Sequence, residues 1–148
     1  MRMVNVFDVA AFILRNCGPM TTMKLQKLVY YCQAWSLVWD EEPLFPEKIE
    51  AWANGPVVPE LFLLHKGQFK VRSIPEGKPE KLNKKQRETV LAVINYYGNK
   101  SSQWLSDLTH IEDPWRNARV EISEKRRGNR VISRASMLEY YSSLPPET

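Results

Sequence analysis

The chain has 148 residues, of which 43% are hydrophobic and 26% are charged, so it is typical of one globular domain and not of a disordered segment. No apolar run is as long as a membrane span, and the N-terminus lacks the basic and apolar regions of a signal peptide. These absences predict a cytoplasmic protein without membrane contact. Cys17, Cys32, His65 and His110 follow no metal-binding spacing, so we expect no disulfide, no metal and no cofactor.

The net charge of +4 is distributed unevenly along the chain. Acidic residues dominate residues 40–60, whereas residues 66–87 and 116–134 are strongly basic. Such an asymmetric charge distribution steers partners and orients them. The basic stretches alone suit either an acidic protein surface or the phosphates of a nucleic acid.

Helical periodicity is clearest in the first quarter of the chain. Apolar residues predict a first helix over Val6–Asn16, capped by Asn5 and ended by Gly18 and Pro19. A second helix starts at Thr22, and its apolar stripe is wide and aromatic, so we expect it to be the central core helix. The stripe consists of Leu25, Leu28, Val29, Cys32, Trp35, Ser36 and Trp39.

A rigid corner follows the acidic stretch. Residues 44–53 have no decisive periodicity and are compatible with an extended segment, up to the turn at Asn54, Gly55 and Pro56. Asn-Gly adopts left-handed φ values at low cost, and Gly-Pro forces the backbone out of the helical region. Pro59 suits the first position of a new helix.

The second half of the chain predicts further short helices. Asn83 is expected to cap a helix with Val90, Val93, Ile94 and Tyr97 on its buried face, and Ser101 or Ser102, Asp113 and Ser133 to begin the later ones. The last helix is expected to bury Leu138, Tyr141 and Leu144, and short strands are possible at Val120–Ser123 and Arg130–Ile132. The predicted fold is mainly α: a single compact helical domain over residues 1–148, with at most a small β-hairpin or short strands.

The corner is the best candidate for a partner-binding surface. Turns usually lie at the surface, and a rigid exposed aromatic beside an apolar corner is typical of protein interfaces. Nearby carboxylates would steer a basic partner. A tryptophan that merely pins the loop onto the second helix is an equally good interpretation. The hypothetical partner-binding residues are Trp52, Gly55, Pro56, Val57, Glu50 and Glu60.

Catalytic patterns are weak. His110 lies near Asp107, Glu112 and Asp113, and a histidine with carboxylates can perform acid–base chemistry. However, Asp113 is expected to cap a helix, and the chain has no Gly-x-Ser-x-Gly, Walker or His-Glu-x-x-His motif. We therefore predict structural roles for these residues, no catalytic residues, and no enzymatic activity.

The first two helices also resemble a helix-turn-helix. Lys24, Gln26 and Lys27 at the start of the second helix could contact base edges. An ordinary helical hairpin explains the same pattern, because consecutive amphipathic helices are common in α-helical cores. Nucleic-acid binding is thus the alternative hypothesis, for a phage accessory or regulatory protein.

Three blocks carry a family resemblance. They are Leu25–Tyr31, then Pro43–Phe45 leading into Ile49–Leu61, and Leu105–Trp115. In this order and spacing they resemble the SocA-like, or Panacea, antitoxin domain of toxin–antitoxin operons, phages and prophages. The likeness covers about residues 22–115, whereas residues 116–148 match more loosely.

The resemblance implies a predominantly helical protein without a catalytic role. It further implies an antitoxin-like protein that neutralises a cognate toxin by direct protein–protein binding. No catalytic or ligand-binding residues of the family are available to place on this sequence. The looser segment after Trp115 is where partner specificity would be expected.

Overall fold

Helices dominate the fold, which confirms the predicted mainly α class. The computed structural model describes residues 3–120 and 127–145, and the two small sheets within these residues are both antiparallel pairs. The elements are α1 (Val6–Cys17), β1 (Met20–Thr21), α2 (Thr22–Trp39), β2 (Glu50–Trp52), β3 (Gly55–Val57), α3 (Pro59–His65), β4 (Lys70–Val71), a 3₁₀ turn (Pro79–Lys81), α4 (Lys84–Tyr97), α5 (Ser102–Ile111), α6 (Asp113–Ala118) and α7 (Arg134–Ser142).

Helix α2 is the centre of the core, as its sequence predicted. It packs against α1, α4, α5 and α7, and all of its residues from Leu25 to Ala34 are buried. The predicted stripe was wrong at its end, because Trp39 is 49% exposed and Trp35 is half-buried. A helix surrounded on every side buries its polar residues too, including Gln26 and Lys27.

Side-chain caps begin most of the helices where the sequence predicted. Asn5 and Asn83 each form a reciprocal capping box, and Ser101 and Ser133 cap α5 and α7. The cap of α2 is Thr21, one residue before the predicted Thr22.

Two predictions in the C-terminal half were wrong. The N-cap of α6 is Glu112, and the predicted cap Asp113 is the first residue of the helix. No side chain caps α6, because the Glu112 carboxylate is bonded to Tyr31 and Tyr141 in the core. On α7, Tyr141 is buried as predicted, but Leu138 and Leu144 are exposed.

A short hairpin forms the predicted corner. Strands β2 and β3 pair with Glu50 opposite Val57 and Trp52 opposite Gly55, and Gly55 has a φ of +122°, as its place in the turn required. The other pair joins β1 to β4 through Met20 opposite Val71.

Residues 127–132, here called the strap, lie along the outer side of β2. The Ala51 N–H donates to Arg130 O at 2.9 Å, and the Ile132 N–H donates to Ile49 O at 2.8 Å. The expected strand over Arg130–Ile132 is thus reduced to one bridge, between Val131 and Glu50. The other expected strand, Val120–Ser123, lies mostly outside the described residues.

Three tyrosines and a carboxylate join α2 to the C-terminal helices. The Tyr31 and Tyr141 hydroxyls donate to Glu112 Oε1 at 2.7 and 2.8 Å, and Tyr30 and Tyr141 share a hydrogen bond of 2.9 Å between their hydroxyls. Tyr97 stacks on Tyr31 with ring centroids 4.1 Å apart.

Within the described residues, no helix is both long and apolar enough to cross a membrane.

Candidate functional site

Trp52 is covered and not exposed, which disfavours the first of its two interpretations, an exposed aromatic anchor. Its ring is 8% exposed and packs edge-on against Phe62, with centroids 4.9 Å apart. The Arg127 guanidinium of the strap lies over it, 3.7 Å from the ring centroid. The indole N–H donates to Glu50 Oε1 at 2.9 Å, so Trp52 is fixed from three sides.

The carboxylates of the corner differ in availability. Glu50 is buried, and besides the indole it contacts Lys48, whose Nζ lies 3.3 Å from Glu50 Oε2. Glu60 is exposed in the first turn of α3. Of the two residues expected to steer a basic partner, Glu60 alone therefore has an exposed side chain.

Gly55 and Pro56 lie directly on the side chain of Lys27 from α2. Lys27 Nζ donates to Pro56 O at 3.2 Å, and a Cβ on residue 55 would lie 2.4 Å from Lys27 Cε. Only a glycine allows the hairpin to approach so closely with a positive φ.

The hairpin backbone is also held from the other side by α5 and α6. Ser106 Oγ donates to Asn54 O at 2.8 Å, and Trp115 Nε1 donates to Trp52 O at 2.7 Å. His110 Nε2 lies 2.8 Å from Ala53 O, and its Nδ1 lies 2.5 Å from Ser106 O. Both ring nitrogens thus face backbone carbonyls, one of the hairpin and one of α5.

An open pocket of about 360 Å³ lies between the hairpin, α2, α3 and the strap. This volume falls within the range of small-ligand sites, about 300–1,000 Å³. Two of the predicted site residues, Trp52 and Val57, line the pocket together with the buried Lys27. Its lining consists of Thr22, Met23, Gln26, Lys27, Trp52, Ala53, Asn54, Val57, Phe62, His65 and Arg127.

Lys27 is the most unusual group of the pocket. It is 1% exposed, and burial lowers the pKa of its ammonium group to about 7. Among the described residues, Pro56 O is the acceptor of its hydrogen bond, and no carboxylate lies within ion-pair distance of Nζ. A buried lysine without an opposite charge is costly to a fold.

Gln26 and His65 form a polar pair beside Lys27. The Gln26 amide joins the backbone at Val58, accepting from its N–H at 2.8 Å and donating to its carbonyl at 3.3 Å. Gln26 Nε2 also lies 2.9 Å from His65 Nε2. An amide N–H donating to this ring nitrogen requires a neutral imidazole, and burial together with Lys27 lowers the pKa of His65.

The sequence from residue 25 to residue 116 matches the family described as antitoxin SocA-like, Panacea domain. The chain belongs to this family. No curated protein and no solved structure is significantly similar to it.

The match spans most of the candidate site of this Panacea domain. Lys27, the hairpin and α3 all lie within it, whereas Arg127 of the strap lies outside. In the described residues of the domain, no three His, Cys, Asp or Glu side chains are placed so that they could share a metal ion.

Sequence reasoning missed the polar half of this site. Gln26 and Lys27 were considered only for contacts with base edges, and His65, Phe62 and Arg127 were not connected with the corner. One signal was available in the sequence. Gln26 and Lys27 lie four residues before Tyr30 and Tyr31, so each shares a helix face with a tyrosine that packs in the core.

Proposed function

We propose that this protein is a cytoplasmic antitoxin that neutralises a cognate toxin by direct protein–protein contact, in a toxin–antitoxin or prophage setting. The single observation that carries the proposal is the family match over residues 25–116. Neutralisation by contact requires a complementary surface and no catalytic group.

The surface around the pocket suits such a contact. Leu63 is 71% exposed and lies on α3 between the pocket residues Phe62 and His65, and Phe69 is 80% exposed. The Phe69 carbonyl accepts from the N–H of Thr22, at 3.1 Å, on the edge of the same pocket. Large apolar side chains beside an open pocket are typical anchors of protein interfaces.

Binding of nucleic acid is less well supported by the geometry. Of the three residues that a recognition helix would use, Gln26 and Lys27 are buried beneath the hairpin and α3, and Lys24 is half-exposed. A base edge in the major groove could not reach the two buried side chains. The basic residues of the stretch 66–87 are all exposed and are then better interpreted as surface charge.

We also propose that the protein has no enzymatic activity of its own. His110 is engaged by Ala53 and Ser106, and the Glu112 carboxylate by Tyr31 and Tyr141. These contacts support structural roles for the two residues best suited to acid–base chemistry.

Co-expression with the product of the adjacent gene tests the proposal. The antitoxin should restore growth and co-purify with that product, and Leu63→Asp and Phe69→Asp should each weaken both effects. Leu91→Asp is the matched control, because Leu91 is 43% exposed on α4, outside the pocket lining. A wild-type chain that neither restores growth nor co-purifies would contradict the proposal.

A further inference from the structure

Lys27 lacks a counter-charge in the described part of the chain. An ammonium group donates three hydrogen bonds, and Pro56 O accepts one of them. The lysine lines an open pocket while its side chain is almost completely buried. In its ammonium form, a buried lysine with unused donors beside a pocket gains from an anion that enters from outside, since the new ion pair would offset the cost of burying the charge.

The other residues that line the pocket limit which anion could bind to Lys27. Trp52, Phe62 and Val57 provide apolar surface, and the Gln26 amide is already engaged by Val58. A second positive charge, the Arg127 guanidinium, lies over the Trp52 ring. The pocket lining therefore combines a buried cation, an exposed cation and apolar side chains.

We propose that this pocket binds a carboxylate, and that an acidic side chain of the toxin provides it. The carboxylate pairs with Lys27, and the adjoining apolar part of the toxin residue packs against Trp52 and Phe62. The assignment to the toxin rests on the proposed function, whereas carboxylate binding by the pocket does not.

A carboxylate fits better than a phosphate. A phosphate group has three acceptor oxygens and close to two negative charges near neutral pH, which calls for several fixed donors. Among the buried lining residues, Lys27 offers unused donors, and its neighbour His65 is held by Gln26. One buried cation matches one singly charged anion.

The first experiment needs no toxin. Phenylacetate and its neutral isostere phenylacetamide are titrated into ¹⁵N-labelled protein at pH 6.5. Phenylacetate should give saturable shifts of the amide signals of Lys27, Trp52 and Ala53, and at least tenfold tighter binding than phenylacetamide. Lys27→Gln keeps a donor for Pro56 O but loses the charge and should abolish this preference. Lys24→Gln should retain the preference for phenylacetate, because Lys24 lies on the same helix as Lys27 and does not line the pocket.

The second experiment measures toxin affinity for the same variants. We expect Lys27→Gln to weaken the complex at least tenfold and Lys24→Gln to leave it unchanged. If the wild-type protein does not prefer phenylacetate over phenylacetamide, the carboxylate site itself is overturned, independently of the toxin measurement. Carboxylate binding combined with unchanged toxin affinity of Lys27→Gln would overturn the assignment to the toxin and leave the proposed function intact. A wild-type protein that binds phenylacetate and not the adjacent gene product would contradict the proposed function, and the assignment with it.

Discussion

Gly55 lies against the aliphatic chain of Lys27, so close that a Cβ on residue 55 would be 2.4 Å from Lys27 Cε and 3.1 Å from Nζ. The contact joins the hairpin turn to the central helix and closes one side of the lysine. Turn conformation and lysine burial therefore depend on the same glycine.

Replacing Gly55 with alanine should lower the free energy of unfolding by about 2–4 kcal/mol, because positive-φ strain of about 1–3 kcal/mol is combined with the clash against Lys27. Gly67→Ala is the matched control, because Gly67 has a φ of +87° and a Cβ added to it would meet no atom within 4 Å. Urea denaturation measures both. Equal losses for the two variants would show that Lys27 moves aside without cost.

Glu112 should make the protein less stable as the pH rises from about 4.5 to 7. Burial raises the pKa of this carboxyl to about 7, although the tyrosine hydrogen bonds oppose the shift. In that window the folded chain binds more protons than the unfolded chain, so the free energy of unfolding falls with increasing pH.

The Glu112→Gln variant isolates this effect, because the amide retains an acceptor for Tyr31 and Tyr141 without titrating. Compared with the variant, the wild-type protein should lose about 2–3 kcal/mol between pH 4.5 and pH 8. Melting temperatures of both proteins across this range give the difference. Parallel curves would contradict the raised pKa.

Lys27 should have the opposite effect at higher pH. Burial lowers the pKa of its ammonium group to about 7 from 10.5, so between these values the unfolded chain binds the extra proton. The wild-type protein should therefore gain stability relative to Lys27→Met by roughly 1.4 kcal/mol for each pH unit from 7 to 10. Thermal unfolding of both proteins measures the gain. A constant difference across this window would show that Lys27 titrates normally.

Arg119 should hold the strap in place. Its Nη1 donates to Ala51 O at 2.7 Å and to Arg127 O at 2.9 Å. Both hydrogens lie in the plane of the rigid guanidinium, and the flexible ammonium of lysine does not fix its donors in that plane. Arg119→Lys should cost about 1–3 kcal/mol and accelerate hydrogen exchange at the Ala51 and Ile132 amides.

Arg116→Lys is the control for that experiment, because Arg116 is exposed on α6 and its side chain bonds to Ile111 O nearby in sequence. Its exchange rates should equal those of the wild-type protein. If Arg119→Lys also leaves both amides protected, the strap is held by its backbone bonds to β2 alone.

The sequence predicted helices well because their signals are local. Asn5, Asn83 and Ser133 satisfy free N–H groups at helix starts, and this chemistry depends on the next three residues. The corner at Gly55 was equally local, since its positive φ follows from the turn residues.

The candidate site was predicted only in part because its decisive contacts are distant in sequence. The sequence left open whether Trp52 is exposed or pins the corner. Arg127 and Phe62 cover it, and nothing near Trp52 in sequence indicates that a strap follows β2 75 residues later. Lys27 was considered only as a residue that could contact base edges, and its burial follows from its position on a helix that is enclosed by other elements. Glu112 was similarly grouped with His110 by sequence, but its carboxylate accepts hydrogen bonds from two tyrosines on other helices.

The hydrogen bond between Tyr30 and Tyr141 joins residues separated by 111 positions, and this separation has a consequence during synthesis. While the ribosome is still translating the last third of the chain, α7 is missing from the aromatic side of α2, although Tyr97 of α4 can already stack on Tyr31. The contact of Tyr30 with Tyr141 can form only after residue 141 has left the exit tunnel, so a prematurely terminated product would leave Tyr30 more accessible to proteases and chaperones. Quality control of the nascent chain would thus remove incomplete copies before they could occupy a partner.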